Sequence, residues 1–248
     1  MATLAEVTDP LRSIFTFVPP VGLGVCDVCH GAPNERFSRC YSCWETVDQV
    51  SFPVQWVVPI SLYRVGQQLH HVLRSYKDSS VPSLRQGSKV AVAAILGRFL
   101  SDHAPCIRTA TGAAWDGIVV VPSTRDRPGQ HPLEAALELL KNWPNEIINC
   151  LVRGDVEIAH GRADDRGFHV SNHVMGRALL LVDDTFTTGA RLQSAASALH
   201  LAGARVVAGL VIGRVMNPDF NEPTKTAWER NQAVPYSFER CCLEDDSA

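Results

Sequence analysis

The sequence has few features that would place it in a specialised class of protein. Its longest mostly apolar runs, at residues 90–96 and 206–212, are far shorter than the roughly 20 residues that cross a bilayer. The N-terminus lacks a basic start followed by an apolar core, so it does not resemble a secretory signal. We therefore expect a cytoplasmic protein with no membrane partner.

The sequence also lacks an excess of charge of either sign. Lys and Arg total 23 and Asp and Glu total 26, a formal net charge of −3, so no global positive field would attract nucleic acid. Hydrophobic residues make up 46% of the 248 and aromatic residues 7%, which excludes a disordered or collagen-like chain. The length is sufficient for one or two packed domains.

Four of the eight cysteines form two C-x2-C pairs. These pairs are Cys26 with Cys29 and Cys40 with Cys43, separated by ten residues. A compact set of four thiols in a reducing compartment is typical of a structural zinc site, although chance burial and disulfide bonds are alternatives. The charges within the cluster cancel, which does not favour a nucleic-acid-binding finger. We expect ordinary core or tail positions for the other four cysteines, Cys106, Cys150, Cys241 and Cys242.

The hydrophobic pattern predicts a doubly wound α/β domain over residues 56–216. Strands are expected at 56–63, 118–121, 147–152, 178–182 and 205–212, and helices at 67–76, 88–102, 131–143 and 191–202. Buried strands that alternate with helices indicate a parallel sheet covered on both faces. The small four-Cys zinc module would occupy residues 1–55, and an irregular tail would occupy residues 217–248.

The strongest chemical signal lies at residues 179–191, which read LLLVDDTFTTGAR. We expect the strand to end at Val182, with Asp183 and Asp184 beyond its carboxyl end, where ligands of open α/β sheets bind. Gly189 permits positive φ or a close backbone approach, and the N-terminus of the following helix attracts anions. This combination predicts a phosphate on the loop. Because carboxylates repel phosphate, the acidic pair would hold the vicinal hydroxyls of a ribose.

This stretch resembles the phosphoribosyl pyrophosphate (PRPP) motif of type I phosphoribosyltransferases. Together with the four-Cys ribbon, the segment YRVGQQLHHVLRSYKD and the segment VVVPSTRDR, it makes the sequence similar to ComF-type (competence-associated) phosphoribosyltransferases over most of its length. An acidic strand end followed by an ordinary turn is the alternative explanation of the motif.

The resemblance implies transfer of ribose 5-phosphate from PRPP to an acceptor, with release of pyrophosphate and assistance by Mg²⁺. In that family Asp183 and Asp184 would grip the ribose hydroxyls and serve as the catalytic residues. The implied substrate-binding residues are Thr185, Phe186, Thr187, Thr188, Gly189, Ser123, Thr124, Arg125 and Lys77. The polar segment 153–166 is a candidate lid, with a solvated surface loop as the alternative.

Two departures from the family pattern leave other functions open. The PRPP motif usually closes with Ser or Thr, where this sequence has Arg191, and the loop after the second strand reads RDRPGQHPLE where bacterial members commonly read R-x-R-G-F-N-Q. One alternative is a non-catalytic nucleotide- or PRPP-binding regulatory or adaptor protein linked to DNA uptake. Another is a zinc-ribbon protein that binds nucleic acid.

Overall fold

The computed structural model describes residues 2–34, 36–123, 129–140 and 146–244. Five of its strands form a parallel sheet: β1 (Val57–Tyr63), β2 (Gly117–Val120), β3 (Glu146–Ile147), β6 (Ala178–Phe186) and β7 (Arg205–Val215). Their order across the sheet is β1-β7-β6-β2-β3. Two further strands, β4 (Leu151–Arg153) and β5 (Phe168–Val170), pair antiparallel in a separate ribbon.

Helices cover both faces of the sheet. They are α1 (Leu4–Thr8), a 3-10 helix (Asp9–Ile14), α2 (Tyr41–Val47), α3 (Gln68–Asp78), α4 (Pro82–Thr111), α5 (Pro132–Leu137), α6 (Ala190–Leu201) and α7 (Glu222–Gln232). Successive side chains of a strand point to opposite faces, and β6 supplies both cores in this way. Leu180 packs in one cluster with Leu96 of α4, and Leu181 packs in the other with Leu199 of α6. The expected mixed α/β architecture with a mostly parallel central sheet is confirmed.

Helix α4 is twice as long as the predicted helix at residues 88–102. It begins at Pro82, where the missing N–H of proline costs nothing, and it ends before Gly112, whose φ of +62° provides a left-handed cap. By length and composition alone this helix could cross a membrane, but 61% of its apolar window is buried inside the fold. That burial is the position expected for the core helix of a soluble domain.

Two predicted elements are shorter or divided in the structure. The strand expected at 147–152 is split, because the chain leaves β2 after Ile148 and the carbonyl of Cys150 then accepts from the amide of Ser171 in the separate ribbon. The helix expected at 131–143 ends at Leu137, and the amides of Leu139 and Leu140 donate three residues back in tighter turns. Residues 141–145 lie outside the described part.

The segment after residue 216 is not an irregular tail over its described length. It contains α7, and its side chains Trp228, Phe238 and Cys242 are buried in the same cluster as the sheet. The ring of Tyr236 stacks on Phe15 at a centroid separation of 4.8 Å. Apolar side chains spaced among prolines and charges therefore fix this segment to the core.

The N-terminal cysteine segment packs on the α6 face of the sheet. Its buried thiols belong to the same apolar cluster as Leu181 and Leu192, and the amide of Val57 donates to the carbonyl of Val28 at 3.3 Å. The cysteine cluster therefore shares its buried surface with the sheet and lies within reach of the loop that follows β6.

Candidate functional site

Strand β6 carries both carboxylates of the motif. The prediction that it ends at Val182 is wrong: it continues through Phe186, and Asp183 lies in register with Val211 of β7. Strand pairing uses the backbone, so polar side chains do not end it. Strand β2 ends at Val120, and β6 therefore extends beyond this neighbour at the carboxyl end of the sheet.

A cavity of about 570 Å³ opens at this end of the sheet, bordered by β6, α3, the end of β2 and the segment 153–166. The predicted site residues that line it are Lys77, Ser123, Asp183, Asp184, Thr185, Phe186, Thr187, Thr188 and Gly189. Thr124 and Arg125 lie outside the described residues. Tyr63, His70 and Arg74 also line the cavity, although the sequence did not assign them to it.

Asp184 is buried and held by two neighbours from helix α3. Its Oδ2 atom accepts a hydrogen bond from the hydroxyl of Tyr76 at 2.8 Å and forms an ion pair with Lys77. Burial opposes ionisation of this carboxyl, but Lys77, Arg191 and Tyr76 together hold its pKa below the usual value. Asp184 is therefore an ionised carboxylate at neutral pH, fixed by α3.

Asp183 is in a different electrostatic state. Its Oδ1 atom accepts the amide N–H of Asp184 at 2.8 Å, and its Oδ2 atom pairs with Nη2 of Arg191 at 2.5 Å. Burial raises the pKa of this carboxyl to about 6, even though Arg191 opposes the shift. Adjacent carboxylates thus differ in their readiness to take up a proton near neutral pH.

The loop between β6 and α6 depends on Gly189. This residue has φ of +88° at the N-cap of the 12-residue helix, and a Cβ atom there would lie 2.5 Å from Cζ of Phe186. Both the left-handed backbone and the close ring therefore exclude a side chain. The result is a tight turn with three threonines, Thr185, Thr187 and Thr188, at the start of a helix, where backbone N–H groups and the dipole favour an anion.

The candidate lid reaches this loop directly. The amide of Gly161 donates to Oγ1 of Thr188 at 3.2 Å, and the side chains of Ile158 and His160 line the cavity. The far end of the segment is fixed, because Asp165 accepts from the hydroxyl of Ser197 at 2.6 Å. The segment therefore forms one wall of the cavity and is anchored on α6.

The four predicted cysteine ligands come together. The Sγ atoms of Cys26, Cys29, Cys40 and Cys43 all lie within 4.8 Å of one another, and those of Cys29 and Cys40 are 3.6 Å apart. This separation is close to the tetrahedral edge of a single ion with Zn–S bonds of about 2.3 Å. An iron–sulfur cluster would spread its thiolates over several irons. The four residues could thus hold one structural zinc.

Arg214 of β7 connects the cysteines to the loop. Its Nε donates to Sγ of Cys29 at 3.1 Å, its Nη2 lies 3.8 Å from Sγ of Cys40, and its Nη1 donates to the carbonyl of Thr187 at 3.1 Å. This guanidinium is buried; burial opposes its charge, but the thiolates raise its pKa above the usual value. Thr46 of α2 adds a second link by donating to the carbonyl of Thr188 at 3.2 Å.

Besides Tyr63, His70 and Arg74, sequence reasoning missed or misplaced Tyr76, Arg191 and Arg214. Tyr76 and Arg214 come from an amphipathic helix and a buried strand, where an aromatic ring or a single cation usually indicates packing. Arg191, which stands where the PRPP motif usually has Ser or Thr, pairs with Asp183. The position of Arg191, eight residues after Asp183 and second in helix α6, was the available signal for this contact.

Comparison with known proteins adds no identification of the site. The sequence matches no protein-family model, and no curated protein matches it.

Proposed function

We propose that the chain is a PRPP-dependent phosphoribosyltransferase, similar to the ComF-type enzymes, that transfers ribose 5-phosphate to an acceptor and releases pyrophosphate. One observation carries the proposal. The buried pair Asp183 and Asp184 and the Gly189 turn at the start of α6 line the same cavity. A ribose 5-phosphate presents hydroxyl donors at one end and an anion at the other, which matches this separation of acceptors from N–H donors.

Binding of a ribose would rearrange the Arg191 contact. Hydroxyl donors of the sugar need Oδ2 of Asp183, which Arg191 contacts in the structure. The guanidinium side chain is 28% exposed and lines the cavity, so it has room to turn towards a phosphate, which it recognises well. We therefore expect Arg191 to leave Asp183 when the sugar hydroxyls bind there, and then to contact the phosphate.

The charges around the cavity suit displacement at the ribose C1 carbon. Positive charge grows on the sugar ring and negative charge on the leaving pyrophosphate, so catalysis depends on positioning and electrostatics. In this proposal the ribose ring lies next to Asp184, whose ionised carboxylate would stabilise the cation. Arg74, Lys77 and Arg191 supply positive charge on the cavity wall.

Magnesium fits this site only together with its ligand. Both carboxylates already have cationic partners, Lys77 and Arg191, so little negative charge is left for a free divalent ion. Mg²⁺ prefers phosphate oxygens and water with few protein carboxylates, and when bound it would neutralise the pyrophosphate. We therefore expect it to enter with PRPP.

Calorimetric titration of the full chain with PRPP and Mg²⁺ tests the binding step. We expect saturable binding by the wild-type protein and its loss in the Asp183→Asn, Asp184→Asn double variant. Asp116→Asn is a matched control, because Asp116 pairs with Arg177 at 2.7 Å at the opposite end of β6. Absence of binding by the wild type, or undiminished binding by a folded double variant, would refute the proposal.

The Arg191 contact favours a second candidate, a protein that binds PRPP or a 5'-phosphonucleotide without turnover, as a regulator or adaptor. A guanidinium on Asp183 makes this carboxylate less available to a developing cation. Incubation with PRPP, Mg²⁺ and a panel of bases and amines separates the two functions. An enzyme releases pyrophosphate with one of these acceptors, whereas a sensor binds PRPP and releases none.

A further inference from the structure

A second cluster of metal-ligating side chains lies far along the sequence from the first. It consists of His103 and Cys106 of helix α4 and Cys241 and Glu244 near the end of the described chain. One ligand atom from each of the four lies within 4.8 Å of all the others. Local spacing does not indicate a metal site here, because the two short pairs, H-x2-C and C-x2-E, are separated by 134 residues.

The distances within this cluster match one tetrahedral ion. Nδ1 of His103 is 3.4 Å from Oε1 of Glu244 and 3.6 Å from Sγ of Cys106. Oε1 of Glu244 is 3.5 Å from Sγ of Cys106 and 3.8 Å from Sγ of Cys241. Zinc bonds of about 2.0–2.3 Å to N, O and S give tetrahedral edges of about 3.3–3.8 Å. Four of the six donor separations are therefore those of ligands of a single centre, and the other two, from Cys241 to His103 and to Cys106, are within 4.8 Å.

The orientation of His103 supports the same conclusion. Its Nε2 atom lies 2.7 Å from the carbonyl oxygen of Phe238 and is buried, so this nitrogen carries the proton and donates it. The lone pair is then on Nδ1, which faces the other three donors. A ligating histidine whose second nitrogen donates to a backbone carbonyl is the usual arrangement at metal centres.

We propose that His103, Cys106, Cys241 and Glu244 form a second structural zinc site that fixes the C-terminal segment to helix α4. Two thiolates, one imidazole and one carboxylate are ligands that zinc accepts in tetrahedral geometry. Four protein ligands complete the coordination, which makes the site structural rather than catalytic. The site would hold residues 239–244, which follow the buried Phe238 and lie outside any helix or strand, against α4.

Counting metal ions on the reduced, full-length protein tests this proposal. We expect native mass spectrometry to find two zinc ions per chain after exposure to zinc and desalting. The Cys106→Ser, Cys241→Ser variant should retain one, at the four-Cys site, which also reports that the variant is folded. Cys242→Ser is the matched control: its thiol is buried next to Cys241 but lies outside the cluster, so this variant should retain two.

A milder variant keeps the test decisive if the double variant does not fold. The side chain of Glu244 is 40% exposed, and Glu244→Gln should be tolerated while it weakens zinc retention against a chelator by more than the roughly 10–100-fold of an outer-shell change. One zinc per wild-type chain would overturn the proposal, as would two zincs in the folded double variant. A Cys106–Cys241 disulfide in the freshly isolated protein, or unchanged retention in Glu244→Gln, would also overturn it.

Discussion

The substitution Gly189→Ala tests the proposed phosphate loop most directly. An alanine at φ of +88° costs about 1–2 kcal/mol of backbone strain. Its Cβ would also lie 2.5 Å from Cζ and 2.9 Å from Cε2 of Phe186, a ring that is only 1% exposed and has little room to move. Overpacking of this kind costs about 1–3 kcal/mol, so the free energy of unfolding should fall by about 2–5 kcal/mol.

Thermal unfolding and titration with ribose 5-phosphate measure the two consequences separately. At about 2–4 °C per kcal/mol, the melting temperature of Gly189→Ala should fall by roughly 4–20 °C, and affinity should fall by at least about tenfold because the loop amides move away from the anion. Gly176→Ala is the control, since Gly176 has φ of +76° and nothing within 4 Å of an added Cβ. A Gly189→Ala protein that binds as tightly as the wild type would refute the assignment of this turn to phosphate.

Three further predictions concern the charges around the cavity. With a pKa of about 6, the carboxyl of Asp183 is about one tenth ionised at pH 5 and about nine tenths ionised at pH 7. The affinity for ribose 5-phosphate relative to inorganic phosphate should therefore rise up to about tenfold over this range. Calorimetry with both probes measures the ratio and should find no such rise in Asp183→Asn. Four thiolates around one Zn²⁺ keep a net negative charge, and Arg214→Met removes the cationic side chain that contacts them. It should lower the free energy of unfolding by about 3–5 kcal/mol and speed zinc release to a chelator, whereas exposed Arg205→Met should change neither. Tyr76→Phe removes the hydroxyl that donates a hydrogen bond to Asp184 and should lower the free energy of unfolding, measured with denaturant, by about 1–3 kcal/mol. A change near zero would show that Lys77 alone satisfies this carboxylate.

Sequence patterns located the strands of the central sheet and many residues of the cavity but missed β5, and they did not define the limits or pairings of the strands. Alternation of apolar strands and helices predicted β6 and α6, because elements buried on both faces consist mostly of apolar residues. The continuation of β6 past Val182 has no hydrophobic pattern, since backbone pairing with β7 is independent of whether the side chains are Asp or Leu. For the same reason the pattern did not predict the division of the strand expected at 147–152, where the hydrogen-bonding partner changes within one apolar run.

Contacts between distant segments were also beyond the sequence. The C-x2-C spacing predicted the first cysteine cluster because both pairs lie close together in the sequence. The second cluster joins residues 103–106 to 241–244, and only the folded arrangement of α4 and the C-terminal segment brings them together. Likewise, nothing local to Arg214 indicates that it lies between Cys29 and Thr187.

Because β6 extends beyond β2, one wall of the cavity is a strand of the central sheet and the other is a loop. Asp183 and Asp184 belong to a strand whose main chain is paired with β7, so their positions are set by the sheet itself. The opposite wall, with Ile158 and His160, is a loop outside the central sheet. Exchanging residues of that loop should therefore change which ligands fit the cavity while Asp183 and Asp184 stay in place on the sheet.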